Sequence, residues 1–371
     1  MIIFMFSELS KSALYRTTAF LLSTGLVILL LILGKSIFIP LAFAAFTAII
    51  LAPLCKYLER RGIHPNIAAF LSTLLAGTFV AGILAFFAFQ ISSLADRVDT
   101  FKENLNELIV NTSTYLGEYL GETEISQLSS FSELFTFFME DAQTIIGSML
   151  AMVATSLIVI LFLFVFVVLF LIYRADIRKF GVHLFRDNNT SMRHLLLKIE
   201  KVVRDYLIGI FQVILILAVC NCIALWLLDV PNALFFGIFS ALLNVVPFIG
   251  PLVGSLIPAM FAMVIHNSAL SAVWVILYFT VIQTLESYLI TPGIVGNKVK
   301  INPMFTLLAI FVGNLIWGVP GMILFIPFTA VLKQIFNEVS GLSPYASLLG
   351  ELDGEKLANE AHGDTTASSG S

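Results

Sequence analysis

Long apolar runs alternate with short polar segments along most of this 371-residue chain. A helix needs about 18 or more apolar residues to cross the roughly 30 Å hydrocarbon core of a bilayer. Six such runs predict spanning helices, at residues 18–34, 36–53, 67–91, 145–173, 206–228 and 268–290. Two further apolar stretches, 233–265 and 302–336, are each interrupted in the middle. The pattern predicts an all-α polytopic membrane protein with about six full spans and two opposed broken, re-entrant helical hairpins.

The first interruption lies in NVVPFIGPLVGSLIP, residues 244–258, which contains three prolines, two glycines and no charged residue. Proline lacks a backbone N–H and clashes with the preceding turn, so it breaks a helix. The arms 233–246 and 251–265 would be about 21 and 22 Å long, which is short for a span. The stretch 314–327 repeats the order of an Asn, a break and an Ile-Pro. The alternative is two kinked helices in an ordinary bundle. The predicted breaks are Pro247, Gly250, Pro251, Gly318, Pro320 and Gly321.

Basic residues predict the orientation of the chain. They gather in the N-terminal segment, in the loops 54–66 and 174–205, and toward the C-terminus. The positive-inside rule places these segments in the cytoplasm, together with both termini. This topology requires each broken stretch to return to the side from which it entered. A span followed by a hairpin then occurs twice with opposite orientation, which is the sequence pattern of a transporter's substrate site.

The remaining polar segments predict two helical features outside the spans. Segment 92–144 carries ten acidic and two basic residues, and apolar residues at spacings of three and four predict an external helical hairpin. Its arms either only pack on each other or form an oligomerisation stalk. Residues 190–206, TSMRHLLLKIEKVVRDY, predict an amphipathic elbow helix at the inner surface, either a structural anchor or a lipid site.

These features divide the chain into five regions. They are a three-span region 1–91, the external insertion 92–144, the fourth span with the elbow helix 145–205, a transport core 206–340 with two inverted span-plus-hairpin units, and a largely disordered cytoplasmic tail 341–371.

Few polar groups lie inside the apolar half, and they predict the solute pathway. Glu286 is the acidic residue well inside a span, with Gln283 one turn earlier. A charge there is costly and is a functional candidate by default. Glu286 either couples transport to an ion or has a structural role, such as pairing with a nearby lysine. Asn244 and Asn314, near the hairpin tips, either bind the solute or cap broken helix ends.

The sequence gives no sign of soluble chemistry. With 59% hydrophobic and 12% charged residues, it does not resemble an ordinary soluble domain. It contains no GxxxxGK[ST] phosphate loop and no HExxH motif, and its three cysteines are expected to be unpaired thiols. We expect no enzymatic activity, no metal site, no cofactor and no nucleic-acid partner. The bilayer and a small solute or ion are the expected partners, and the coupling ion stays open between H⁺ and Na⁺.

Three blocks of the chain resemble the autoinducer-2 exporter family of bacterial permeases. They are ALLNVVPFIGPLVGSLIPA (241–259), QTLESYLITPGIVGNKVKINP (283–303) and GNLIWGVPGMILFIPFTAVLK (313–333). The second block resembles the family's turn after the polar span, here Pro292 to Gly296. Some members carry an acidic residue directly before that proline, where this chain has Thr291, whereas Glu286 matches an acidic position found upstream in others.

The resemblance, which covers about residues 15–340, implies a homo-oligomeric transport protein of the bacterial cytoplasmic membrane. Members are linked to export of autoinducer-2, and some to sodium/proton antiport. The leading hypothesis is a secondary transporter that exports a small polar solute such as autoinducer-2, coupled to a proton or cation. The alternatives are a sodium/proton antiporter, or a passive channel or scaffold that acts through the external stalk.

Overall fold

The computed structural model describes residues 13–95, 142–184, 189–296, 300–339 and 341–350, together with Glu103, Glu107 and Lys298. Within this part the regular structure is helical, and one isolated backbone bridge joins Ile301 to Gly350. Six of the described helices are long and apolar enough to cross a membrane. The prediction of an all-α polytopic membrane protein is therefore confirmed.

Twelve α-helices are labelled here in chain order. They are α1 (Ala13–Leu33), α2 (Lys35–Arg60), α3 (Pro65–Ala95), α4 (Ala142–Ile172), α5 (Arg174–Leu184), α6 (Asn189–Leu227), α7 (Ala233–Leu243), α8 (Ile249–Ile265), α9 (Ala269–Leu285), α10 (Pro303–Trp317), α11 (Val319–Glu338) and α12 (Ser343–Leu349). Two π-helical segments, Glu286–Ile290 and Pro292–Gly296, extend α9. The chain forms two compact units, residues 46–300 and residues 1–45 with 301–371.

The core of the unit 46–300 lies where α6, α7, α8 and α9 meet. Leu225, Phe236 and Val275 are almost completely buried there. Phe87 of α3 reaches the same core and lies 5.4 Å from the ring of Phe235, measured between centroids. Most large side chains on the outside of these helices are apolar, as expected for a surface that faces lipid.

The other unit is built around the antiparallel pair α10 and α11. The indole Nε1–H of Trp317 donates to the carbonyl of Leu31 in α1 at 3.0 Å, and the indole contacts Phe325 edge-on. The short helix α12 follows, and the N–H of Asn302 donates to the carbonyl of Leu349 at 3.0 Å. These contacts hold the start of α10 beside the end of α12.

Several elements differ from the sequence-based boundaries. The elbow segment and the fifth predicted span form one continuous 39-residue helix, α6, because no breaker separates them. A further helix outside the spans, α5, precedes it. The helix α11, at 20 residues, is long enough to cross a bilayer, whereas both arms of the first hairpin are shorter. Most of the predicted external hairpin 92–144 and the end of the tail, 351–371, lie outside the described residues.

Candidate functional site

The first helical hairpin consists of α7 and α8, joined by residues 244–248. At its tip Phe248 has φ 67° and ψ −51°, and the N–H of Ile249 donates to the carbonyl of Pro247 at 2.8 Å. This is a classic γ-turn, a rare and strained conformation, here in a bulky residue that is 66% exposed. Strain of this kind persists only where the surrounding structure imposes it, and it clusters at functional sites.

Small residues hold the two arms of this hairpin together. A Cβ placed on Gly250 would lie 1.8 Å from the carbonyl oxygen of Leu243, and one on Gly254 would lie 3.1 Å from Cα of Ser240. The hydroxyl of Ser240 donates to the carbonyl of Gly254. The arms therefore approach closely enough that a side chain at Gly250 has no room.

The placement of this break corrects the sequence prediction at two residues. Pro247 lies in the connection, but Gly250 and Pro251 lie in the first turn of α8. Proline is tolerated in a first turn because the N–H that it lacks would have no partner within the helix. Gly250 is required for close packing rather than for the turn itself.

The two ends of the first hairpin that lie away from its tip are side by side. The His266 ring, just after α8, has Nε2 3.2 Å from the carbonyl oxygen of Asp229, just before α7. Its Nδ1 lies 3.1 Å from the hydroxyl of Ser271 at the start of α9. One imidazole therefore joins the loops on both sides of the hairpin.

The second hairpin, α10 and α11, has the same design with a shorter connection. Gly318 alone separates the helices, with φ 65° and ψ −143°, a conformation open to glycine. Pro320 and Gly321 were predicted to belong to the break but lie in the first turn of α11. A Cβ on Gly321 would lie 1.9 Å from the carbonyl oxygen of Gly313, so glycine again permits the close approach.

Glu286 lies at the C-terminal end of α9 and accepts hydrogen bonds from three neutral donors. The amide Nε2 of Gln283 donates to Oε2 at 3.0 Å, and the hydroxyl of Ser287 donates to the same oxygen at 3.2 Å. The hydroxyl of Thr291 donates to Oε1. These three donors orient the carboxylate, and an ionisable group of this kind within a span marks an ion pathway by default.

The backbone around Glu286 is π-helical, which corrects the prediction of a turn at Pro292 to Gly296. The segment Glu286–Ile290 and the segment Pro292–Gly296 continue α9 with a wider helix. The N–H of Thr291 donates to the carbonyl of Glu286, five residues earlier, and Pro292 follows with no N–H to donate. Short π-helical turns inside α-helices occur frequently at functional sites.

Helix α6 packs against the second π-helical segment. A Cβ on Gly209 would lie 3.1 Å from Cγ2 of Val295, so this glycine lets the π-helical segment approach α6. Helix α6 also packs against α7, because a Cβ on Gly237 of α7 would lie 2.8 Å from Cα of Cys222 in α6. Helix α6 therefore supports both the Glu286 segment and the first hairpin.

The structure brings some of the predicted pathway residues together. Gln283 and Glu286 are hydrogen-bonded, as described above. Asn244 is the residue that directly follows α7, and it lies beside Gly250, since a Cβ on Gly250 would be 2.9 Å from Cα of Asn244. Asn314 belongs to the other compact unit, where its carbonyl accepts the N–H of Gly318 at 2.8 Å.

Comparison with known proteins decides the family. The family model described as "AI-2E family transporter" matches residues 20–341 of this chain. The chain belongs to the AI-2E transporter family. It is 26% identical to YrrI of Bacillus subtilis, which is provisionally named a transport protein. This match covers 81% of this chain and 85% of YrrI. It is 22% identical to TqsA of Escherichia coli, named an AI-2 transport protein, over 87% of this chain and 92% of TqsA. The AI-2E chain is accordingly a multi-pass membrane transport protein.

Two polar clusters of this AI-2E transporter were missed by sequence reasoning. Asn221, 3% exposed in the middle of α6, accepts a hydrogen bond from the hydroxyl of Tyr278 in α9 at 2.9 Å. A search for every polar residue inside an apolar span would have found Asn221. The bond ties the helix that carries Glu286 to the helix that supports the first hairpin.

The second missed cluster joins α2 to α5. The guanidinium of Arg174 donates to both carboxylate oxygens of Glu59 and, at 3.0 Å, to the sulfur of Cys55. The bond to Glu59 raises the pKa of Arg174 above its ordinary value, so the side chain stays charged. Cys55, expected in a basic loop, is fully buried in α2. Nothing in the spacing of residues 55 and 174 signals this contact.

Proposed function

We propose that this AI-2E protein is a secondary transporter that exports a small polar solute across the bacterial cytoplasmic membrane. Transport is coupled to a proton or cation that binds at Glu286. The observation that carries the proposal is the carboxylate of Glu286 in a candidate spanning helix, held by Gln283, Ser287 and Thr291 on a π-helical turn. An ionisable group in such a helix is expensive and marks an ion pathway by default.

Coupling follows from the chemistry of that group. The charged carboxylate accepts three hydrogen bonds, whereas the protonated or cation-bound form carries no net charge in the span. Exchange between the two forms changes the free energy of the helix end that packs on α6. A conformational change that exposes Glu286 to one side or the other would then link ion movement to solute movement.

The first hairpin supplies the moving part of the proposal. Its tip holds Phe248 in a strained γ-turn, and its small-residue contacts keep the two arms together as one body. The side-by-side ends at Asp229 and His266 support a hairpin that returns to the side from which it entered. We assign a re-entrant position to this hairpin, with Phe248 and Asn244 near the solute.

Autoinducer-2 is the solute to test first, because TqsA is named for its transport. Autoinducer-2 is small and polar, and the amide and hydroxyl groups near Glu286 and the hairpin tip suit such a solute. A sodium/proton antiporter would use the same carboxylate without an organic solute. The experiment below therefore offers both solutes.

The test is reconstitution into liposomes that contain a pH-sensitive dye. A sodium gradient and then an autoinducer-2 gradient are imposed on the wild type, Glu286→Gln and Thr284→Val. Thr284 is the matched control, since its hydroxyl donates only to the backbone of Thr280 in the same helix. We expect saturable proton flux in the wild type and in Thr284→Val, and none in Glu286→Gln.

The other outcomes are equally informative. Flux driven by sodium alone would make the protein an antiporter. No flux with either solute, in protein shown to be folded, would contradict both named solutes and favour a scaffold. Flux that grows linearly with solute concentration would indicate a channel, and equal flux in Glu286→Gln would remove that residue from the mechanism.

A further inference from the structure

The last described segment, residues 341–350, runs from the end of the second hairpin back to its beginning. The segment follows α11 and contains α12. Directly after α12, Gly350 forms a backbone bridge with Ile301. The carbonyl of Leu349 accepts the N–H of Asn302, the residue that precedes α10, at 3.0 Å. The segment therefore lies across the base of the hairpin, which is the pair of ends away from the tip.

Helix α12 packs on α11 with one side only. Ala346 and Leu349, three residues apart, are 1% and 8% exposed, whereas Leu348 is 60% exposed. The ring of Tyr345 lies 6.2 Å from the ring of Phe336 near the end of α11, measured between centroids. The segment is thus attached to α11 through its helix and to the start of α10 through its last two residues.

Asn302 joins this segment to the first turn of α10. While its N–H donates to Leu349, its side-chain Oδ1 accepts the N–H of Met304 at 3.0 Å. Its own carbonyl accepts the N–H of Thr306 at 3.0 Å. Pro303 occupies the first helical position, where the N–H that it lacks would have no partner within the helix. The residue that caps α10 is therefore also the residue that the segment holds.

The bases of the two hairpins are closed in different ways. In the first hairpin one side chain, His266, bonds across the base. In the second hairpin a separate segment closes the base, with main-chain contacts to one arm and a small packed area on the other. The tip is closed independently, because Gly313 and Gly321 bring the two arms together there. A segment with few buried side chains opens locally at a lower free energy than the helices that it covers.

We infer that residues 341–350 form a strap that closes the base of the second hairpin and opens while the tip stays packed. The closed strap fixes the first turn of α10 against the end of α11. The open strap frees that turn, so the second hairpin gains a movable base during transport. Closure is a property of this fold, whereas the effect on flux rests on the proposed function.

Hydrogen–deuterium exchange of the full chain in nanodiscs tests the closure. Leu349→Asp places a charge at a buried position of α12 and should detach the strap. We expect exchange in residues 301–306 to rise roughly tenfold or more, while residues 313–321 at the tip keep their wild-type rate. Leu348→Asp, the same substitution at the exposed neighbour, should leave both regions unchanged.

Two results of this experiment would overturn the inference. Unchanged exchange in residues 301–306 of Leu349→Asp would mean that the segment does not hold the start of α10. Equal acceleration at the base and at the tip would mean that the segment cannot open separately from the hairpin.

A disulfide tests whether the strap opens during transport. Because the hydrogen bond runs from Asn302 to Leu349, Ile301 and Gly350 form a non-hydrogen-bonded antiparallel pair. The Cα atoms of such a pair lie about 4.5 Å apart, which is within the range of a disulfide. Ile301→Cys/Gly350→Cys in a cysteine-free background is therefore oxidised and then reduced in the liposome assay described above.

We expect oxidation to lower the flux roughly fivefold or more, because the locked strap holds α10 in place, and reduction to restore it. Each single-cysteine variant should be unaffected by the same treatment. Unchanged flux in the crosslinked protein would contradict a strap that opens. Absence of flux in the wild type would count against the proposed function, and the exchange experiment alone would then decide the inference.

Discussion

Glu286 shows what can and cannot be predicted at the scale of one residue. A carboxylate in an apolar span stands out in the sequence, and Gln283, three residues earlier, falls on the same side of an α-helix. Thr291 does not, because five residues of an α-helix turn well past one full turn. It reaches the carboxylate through the π-helical backbone, in which residues five apart are bonded. Local pattern rules do not foresee such a register.

Thr291→Val tests this contact. Valine matches threonine in shape but lacks the hydroxyl, so the carboxylate loses a hydrogen bond to a charged group worth about 1.5–3 kcal/mol. We expect coupled flux in liposomes to fall roughly tenfold or more. Thr284→Val, on the preceding turn, should stay close to the wild type, and an equal loss in both variants would contradict the assignment.

The Gly250 contact predicts a stability effect. In Gly250→Ala the new methyl group would overlap the carbonyl of Leu243, so the arms of the first hairpin must separate. Overpacking of this kind costs about 1–3 kcal/mol or more. The variant should melt at a clearly lower temperature in detergent. Gly293→Ala is the matched control, since nothing lies within 4 Å of its added Cβ; similar melting of both variants would refute the close packing.

At the scale of elements, the sequence predicts helices better than the contacts between them. Apolar runs and breakers located five of the six candidate spans and both helical hairpins, since those signals are local. The sixth candidate is α11, which was predicted as a hairpin arm, whereas the first predicted span, 18–34, corresponds to a shorter apolar helix, Thr17–Leu33. The polar sequence of α5 was treated as a loop, although its two arginines bind carboxylates on α2 and α6. The two pairs join residues 115 and 22 positions apart, and tertiary ion pairs of this kind leave no trace in the spacing of one sequence.

The contact between α2 and α5 predicts a change in thiol accessibility. Cys55 is completely buried beneath Arg174, so a water-soluble maleimide should label it very slowly in the folded protein. Arg174→Ala removes the guanidinium and leaves Glu59 without this partner, which should raise the labelling rate at Cys55 at least tenfold. Peptide mass spectrometry identifies the labelled cysteine.

An exposed ion pair on the same helix gives the control. Lys179 and Asp176 lie 3.5 Å apart with most of both side chains exposed, and such pairs contribute little to stability. Lys179→Ala should leave Cys55 protected. Equal labelling in the wild type and Arg174→Ala would mean that the ion pair does not cover the thiol.

At the scale of the whole molecule, the topology was predicted from two independent signals. The distribution of Lys and Arg and the two interruptions both require hairpins that return to the same side. The structure supports this requirement within the first hairpin, whose ends meet at His266. Which side faces the cytoplasm stays a prediction, because the contacts within a helix bundle are the same in either orientation across the membrane.

Single cysteines introduced in a cysteine-free background test the topology. Asn232→Cys and Asn267→Cys flank the first hairpin, one before α7 and one after α8, and should be labelled from the same face of the membrane. An impermeant maleimide added to whole cells should reach both positions but not Arg193→Cys, which should require permeabilised cells. Labelling of positions 232 and 267 from opposite faces would mean that the hairpin crosses the bilayer.

The most direct test of the account is accumulation of solute against its gradient. Proteoliposomes start with equal autoinducer-2 or sodium on both sides, whichever moves in the liposome assay, and a pH gradient is then imposed. The wild type should concentrate the solute on one side for as long as the pH gradient lasts, while Glu286→Gln should leave it evenly distributed. Accumulation by Glu286→Gln equal to that of the wild type would contradict a coupling role for this carboxylate.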